Sequence, residues 1–490
     1  AGWDAEGNLV PQLAAEIPTR ANGGVSADGK VITWKLKRGV KWHDGSDFTA
    51  DDVVFTWQYC ADPATACATK ASFDPIANVE AVDPTTVKVT WKEAQPNPFV
   101  AYTTYNGMIL QKAQFANCIG ANAISDADCQ KANLAPIGTG AYKLEEFKPG
   151  DTAVYVRNEN YRDADKVFFD KVIIKGGGDA ASAARAVCET GEVDYAWNLQ
   201  VQKAVLEPIL AGGKCDSVAG GSFGVERVEL NFANPDPALG DKRSEPDQPH
   251  PILSDLKVRQ AIAKAIDRKA IAEQLYGPTG SATCNIAVAP AQINSPNTTC
   301  ERDVEGAKKL LEEAGWTDSN GNGTVDKDGK ELVLSFQTTI NALRQGEQAI
   351  VKENLAEIGI ELELQEMESG LWIQEVWLDK KFDITDAWYT REPDPDGLMQ
   401  SVLRKDGGNN VMGYDNPKIE ELFDKGKATL DQDARKPIYS EIIKTMLEDM
   451  PLVKIQTVEV VWAGDHKVSG MQIWPKGLPN YLDYTFDPND

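Results

Sequence analysis

No apolar run in these 490 residues approaches the roughly 18 that a membrane-crossing helix needs. Histidine is scarce, at three residues, and no CxxC motif occurs, which leaves little from which to build a zinc site. Basic residues are outnumbered, 50 against 75 acidic, for a formal net charge of −25. Such a chain repels phosphate backbones and anionic membranes, which removes nucleic acid from the expected partners. An anionic ligand would have to be met by locally placed Arg or Lys. There is no internal repeat and no low-complexity tract. No signal peptide opens the sequence either, since Ala1-Gly2-Trp3 runs straight into domain-like sequence; an export signal is expected to have been removed or to lie outside this sequence. What is present is ordinary globular composition in a chain long enough for roughly two to four domains.

The eight cysteines fall in close sequential pairs. That spacing, with so little histidine, predicts disulfides formed in an oxidising compartment over a set of buried thiols. The expected pairing is Cys60–Cys67, Cys118–Cys129, Cys188–Cys215 and Cys284–Cys300.

Two compositional breaks stand out. Residues 233–251 (ANPDPALGDKRSEPDQPHP) read as an exposed crossing between lobes, and Met450-Pro451 follows a long helical pattern. Between them the periodicity alternates in type. Leu332 to Gln337 is strand-like, Ala342 to Ile358 helical, Ile360 to Leu364 strand-like, Leu371 to Leu378 helical and Phe382 to Trp388 strand-like. This order predicts a parallel sheet with right-handed crossovers, and ligands in such sheets sit beyond the carboxyl ends of the strands. Tyr389-Thr390-Arg391-Glu392-Pro393-Asp394-Pro395 is thereby a site candidate on topology. The first part of the chain differs. Trp34, Leu36 and Val40 alternate, Thr86 to Trp91 is a short strand, and Thr49-Ala50-Asp51-Asp52 resembles a capping box ahead of Val53, Val54 and Trp57.

Three local motifs invite chemistry. Gly220-Gly221-Ser222-Phe223-Gly224 fits G-x-S-x-G, but a nucleophile elbow needs a strand before it and a helix after it, and Val225 to Phe232 alternates as a strand. A Gly-rich bend between strands is expected there. Lys175-Gly176-Gly177-Gly178-Asp179 lacks the Lys-Ser/Thr of a P-loop and is expected to be a loop ending at a helix N-terminus. Asp318, Asn320, Asn322 and Asp326 lie in a stretch that follows the calcium-loop pattern, with Gly323 at the sixth position. Gly329 replaces the bidentate Glu at position twelve, so at most weak, structural calcium is expected.

Trp34 to Trp57 (WKLKRGVKWHDGSDFTADDVVFTW) resembles the most recognisable signature of the dipeptide/oligopeptide/nickel-binding receptors of ABC importers, solute-binding protein family 5. Ile137-Gly138-Thr139-Gly140-Ala141-Tyr142, Arg157-Asn158-Glu159-Asn160-Tyr161, Thr190 to Asp194, Val258 to Ala261, Ala265 to Arg268, Ala307 to Leu311 and Glu313 to Trp316 extend the resemblance, in family order, over nearly the whole chain. The resemblance implies an α/β, two-lobed periplasmic-binding-protein fold with a hinge and an extra subdomain in the first lobe. Residues 1–12, 141–232 and 455–490 would form the first lobe, 13–140 its inserted subdomain and 233–454 the second lobe.

It also implies a monomeric, exported, non-enzymatic receptor that needs no cofactor. Such a receptor captures a peptide or other small solute between its lobes, closes on it and delivers it to an ABC-importer permease. The expected ligand-binding residues are Trp388, Tyr389, Thr390, Arg391 and Asp394, with Thr139 and Trp197 from the hinge side. Peptide-binding relatives place an Asp where this chain has Arg391, and a guanidinium repels a peptide's α-ammonium group. The resemblance thus points to a solute with a carboxylate or phosphate. Two other readings stay open: a secreted serine hydrolase using Ser222, and a sensory receptor working without a transporter.

Overall fold

The period-two pattern at the start of the chain closes into an antiparallel sheet of Val31–Lys35 (β1), Ile76–Asp83 (β2) and Thr86–Trp91 (β3), in the order β1-β3-β2. Ile32, Trp34, Val87, Val89 and Trp91 turn one face into a core that takes in Trp42, Phe48, Val53 and Phe73. Helix α1, Ala50–Ala61, supplies Val53 and Phe55 to the buried set. Its first turn is held by Asp52, whose carboxylate accepts from the Thr49 amide at 2.9 Å, the acidic half of a capping box.

These are features of a computed structural model that describes residues 1–4, 8–103, 107–176, 178–212, 214–277, 280–286, 300–389, 395–473 and 482–487. By contact density the chain divides into two units. Unit 1 holds Ala1–Asp179 with Lys467–Pro475 and Pro479–Asp490; unit 2 holds Ala180–His466 with Lys476–Leu478. A second antiparallel sheet of unit 1 joins Tyr142–Lys148 (β4), Thr152–Arg157 (β5) and Lys171–Lys175 (β6). The glycine-containing stretch after β6 leads to a helix at Ala180–Arg185.

Unit 2 is built on a seven-stranded mixed sheet. Its strands are Tyr195–Ala196 (β7), Cys215–Leu230 (β8), Gly280–Ala282 (β9), Val333–Thr339 (β10), Glu361–Met367 (β11), Ile384–Tyr389 (β12) and Leu452–Asp465 (β13). The order is β9-β13-β8-β12-β10-β11, with β7 paired to β13. Strands β10, β11 and β12 are mutually parallel, as their alternation with helical segments predicts, and β8 and β13 run antiparallel to them or to each other.

Three helices, Leu256–Ala265 (α2), Val304–Glu313 (α3) and Ala342–Ala356 (α4), pack their apolar stripes on one side. Ile262, Leu311 and Val351 meet Leu334, Phe336 and Ile384 of the strands. On the other side, Pro395–Leu403 (α5), Pro417–Ala428 (α6) and Gln432–Asp449 (α7) bury Val402, Phe423, Ile442 and Met446 around Leu452.

All eight cysteines are paired: Cys60–Cys67, Cys118–Cys129, Cys188–Cys215 and Cys284–Cys300, the sequential pattern their spacing predicts. One local expectation is corrected. Gly220 to Gly224 is not a bend between two strands but the middle of β8, where the pairing with β13 shifts register between Gly221 and Gly224. Glycine is tolerated there because a bulge, not a chain reversal, absorbs the extra residues.

Candidate functional site

The carboxyl ends of β10 and β12 meet the first turn of α4 and the middle of β8, and these elements bring together a buried charged cluster. Arg344 lies in the first turn of α4, which Asn341 caps by accepting from the Leu343 and Arg344 amides. Its Nε donates to Glu226 Oε1 at 2.9 Å and its Nη1 to Thr339 Oγ1 at 3.2 Å, while Asp386 Oδ1 stands 4.0 Å from Nε. Thr338 donates its hydroxyl to Asp386 Oδ1 at 2.5 Å. Glu347, one helical turn on from Arg344, is fully buried, and neither of its carboxyl oxygens has a hydrogen-bond partner among the described residues.

Three carboxyl groups around one guanidinium cannot all ionise in so little water. Burial pushes the Asp386 carboxyl up to about 7, against the pull of Arg344 and the Thr338 hydrogen bond, and Glu226 adds to the rise. Burial, followed by the charges of Glu226 and Asp386, pushes Glu347 well above the ordinary carboxylate range. Arg344 is held charged: burial opposes its charge, but Glu226 and Asp386 outweigh it. The protonated forms of Glu347 and Asp386 are thus favoured beside the Glu226–Arg344 contact.

Of the residues predicted for the site, Trp388 and Tyr389 are the last two of β12, paired with Glu226 and Val225 of β8. Their backbone therefore ends beside this cluster. Thr390, Arg391 and Asp394 lie outside the described residues. Trp197 follows β7 and is half exposed; three residues on, Gln200 accepts from Asn341 Nδ2 at 3.2 Å, and Gln202 donates to the Ala342 carbonyl at 2.8 Å. That segment is thus fixed to the start of α4. Thr139 belongs to unit 1. Glu226, Arg344, Glu347 and Asp386 were missed from sequence because they lie on three elements far apart in the chain. Asp386 left one signal, an acid two residues from Ile384 on the buried face of an otherwise apolar strand.

Residues 8–410 match the model for bacterial extracellular solute-binding proteins, family 5 Middle. The chain belongs to that family. It is 27% identical over 487 residues to the oligopeptide-binding protein AppA of Bacillus subtilis, an alignment covering 96% of this chain and 82% of AppA. Its fold is that of NikZ from Campylobacter jejuni, solved with Ni(L-His), at a TM-score of 0.82, 24% identity and coverage of 99% of this chain and 92% of NikZ. It is also that of AgaA from A. tumefaciens R10, solved with agropinic acid, at a TM-score of 0.77, 24% identity and coverage of 99% and 91%. This is the two-lobed, α/β periplasmic-binding-protein fold. Family 5 proteins are solute binders, and among the described residues no helix is long and apolar enough to cross a membrane.

The family's signature segments act as structural ties. In unit 1, His43 exchanges backbone hydrogen bonds with the 137–142 segment, its amide donating to the Gly138 carbonyl at 2.9 Å. The Gly138 amide donates to His43 Nδ1 at 3.1 Å, so the ring proton sits on Nε2, 3.3 Å from the Gly140 carbonyl. A Cβ on Gly138 would lie 3.1 Å from the ring. Asn158 Nδ2 holds the same Gly140 carbonyl at 2.8 Å. Three signature segments thereby fix the backbone on both sides of Thr139.

In unit 2 the signature arginines clamp carbonyls. Arg259 donates to Asp449, Leu253 and Ser254, and Arg268 to Lys454, Ala263 and Cys300.

The calcium-like loop spends its oxygens on itself. Asp318 accepts from the Gly321, Asn322 and Gly323 amides, Asn320 from Asn322, Asn322 from Thr324, and Asp326 from Ser319. Among the described residues no three His, Cys, Asp or Glu are grouped to hold a metal ion. Ser222 sits within the long strand β8, not on a strand-to-helix turn. Both nitrogens of His250 are engaged, Nδ1 by the Ile252 and Leu253 amides and Nε2 by Asp383.

Proposed function

We propose that this family 5 protein captures a small solute bearing a carboxylate or phosphate and delivers it, outside the cytoplasm, to an ABC-importer permease. The observation that carries the reading is the position of Tyr389. It ends β12 at the carboxyl edge of the parallel strands, so residues 390–394 begin where such sheets receive ligands. Trp388, Tyr389, Thr390, Arg391 and Asp394 are the proposed ligand residues of unit 2, with Trp197 on the segment tied to α4 and Thr139 held in unit 1. The proposed first lobe is 1–12, 141–232 and 455–490, with 13–140 inserted in it and 233–454 as the second lobe. The Glu226–Arg344–Asp386–Glu347 cluster supports an anionic solute, because its protonated acids do not set a net negative field against one. A peptide-like or opine-like conjugate fits, given relatives solved with Ni(L-His) and agropinic acid. No chemistry on the solute is proposed, and neither is a calcium ion in its capture.

Arg391 is the proposed clamp, since a guanidinium can bind a carboxylate or phosphate through two parallel hydrogen bonds. Calorimetry with the solute recovered from the purified protein tests it. Arg391→Ala should weaken binding about tenfold or more while leaving the melting temperature of the empty protein unchanged. Unchanged affinity would show that the residue only braces its own loop.

A further inference from the structure

Unit 2 contains a second candidate ligand site, away from the strand ends and built on a buried amine. A cavity of about 930 Å³ lies between α2, α3, the end of α7 and the Cys284–Cys300 disulfide, with Arg268, Lys309 and Lys454 in its lining. Lys454, on β13, is 2% exposed, and its Nζ has no hydrogen-bond partner among the described residues. In the β8–β13 register it stands directly opposite Arg227, whose guanidinium is paired with the buried Glu229 at 2.9 Å. Arg268, 6% exposed, gives its Nε and Nη1 to carbonyl oxygens, including that of Lys454 at 2.6 Å from Nε. Among the described residues no carboxylate pairs with either side chain.

The rest of the lining is balanced, with Lys264, Arg302 and Lys309 against Glu301, Asp303 and Glu313, and Arg302 is paired outside the cavity with Glu357 at 2.6 Å. Asp303 is engaged by Lys264 at 2.7 Å and Glu313 by Lys257 at 3.2 Å. The excess of basic groups over acids in this lining is therefore Lys454 and Arg268 themselves, in a chain of net charge −25. Burial, then Arg268 and Arg227, drives the Lys454 amine well below its ordinary range. Burial therefore leaves the amine poorly satisfied beside the Arg268 guanidinium, and an anion held by both would favour the charged amine and give it a partner. We infer that this cavity binds a small anion, a phosphate or a carboxylate, through Lys454 and Arg268, with Ala263, Leu310 and Leu447 receiving whatever apolar part it carries. The site is separate from solute capture and does not rest on that reading.

The full-length protein, titrated calorimetrically with inorganic phosphate and separately with succinate, distinguishes the two anion chemistries. At least one should bind at or below about 1 mM. Lys454→Met should weaken it about tenfold, and Lys309→Glu, at an exposed lining position, about threefold. Lys454→Met should still bind the transported solute normally. If that variant does not fold, Lys309→Glu decides alone, weakening supporting the site and no change overturning it. Absence of binding by both probes up to about 10 mM would overturn the inference. So would binding that survives both substitutions or is lost in Arg391→Ala, which would place the anion in the capture site.

Discussion

At Asp386 a single carboxyl group carries a measurable pH signature. In the unfolded chain it releases its proton near 3.8; in the folded protein it keeps it to about 7. Between those values the unfolded chain binds fewer protons than the folded one, so this group makes stability fall as pH rises through that window. Asp386→Asn keeps an acceptor for the Thr338 hydroxyl and removes the ionisation. The variant's melting temperature relative to the parent should therefore be higher at pH 8 than at pH 5, read from thermal melts across that range. A difference independent of pH would contradict the assigned environment. The residue also shows where sequence reading stops. Arg391 could be singled out because it follows a legible strand end, whereas Asp386, Glu226 and Arg344 become a cluster only once β12, β8 and α4 are packed together.

The elements themselves were more legible. Strands β10, β11 and β12 announce themselves through β-branched and apolar residues separated by helical patterns of ordinary length, and a parallel arrangement follows from that order. Strand β8 was harder, because Gly220-Gly221 and Gly224 carry turn-like composition inside a continuous pairing, and a bulge leaves no pattern of its own. The disulfides were legible from spacing alone. They staple loops of very different size, Cys188–Cys215 spanning 27 residues and Cys60–Cys67 only 7. Loop-closure entropy in the unfolded chain then predicts that the paired Cys188→Ala/Cys215→Ala variant loses about 3–4 kcal/mol and Cys60→Ala/Cys67→Ala about 2–3 kcal/mol. Urea unfolding midpoints would show the order; the reverse order would mean that native packing around Cys188 and Cys215, both buried, is not what the closed loop protects.

At the scale of the whole molecule, the signature segments identified the family through residues that tie its backbone together. His43, Asn158, Arg259 and Arg268 recur at recognisable spacings for a structural reason, the saturation of backbone carbonyls and amides that hold loops and helices in place. Nothing in composition or periodicity, by contrast, names the solute. Bound solute should raise the melting temperature with concentration, as any ligand that prefers the folded state must.

The central claim, capture of an anionic solute, is tested most directly by native mass spectrometry of the freshly purified protein and its Arg391→Ala variant. The account predicts a non-covalent adduct on the parent whose released molecule carries a carboxylate or phosphate, and its depletion from the variant. A released solute with no anionic group, or equal retention by both proteins, would contradict it.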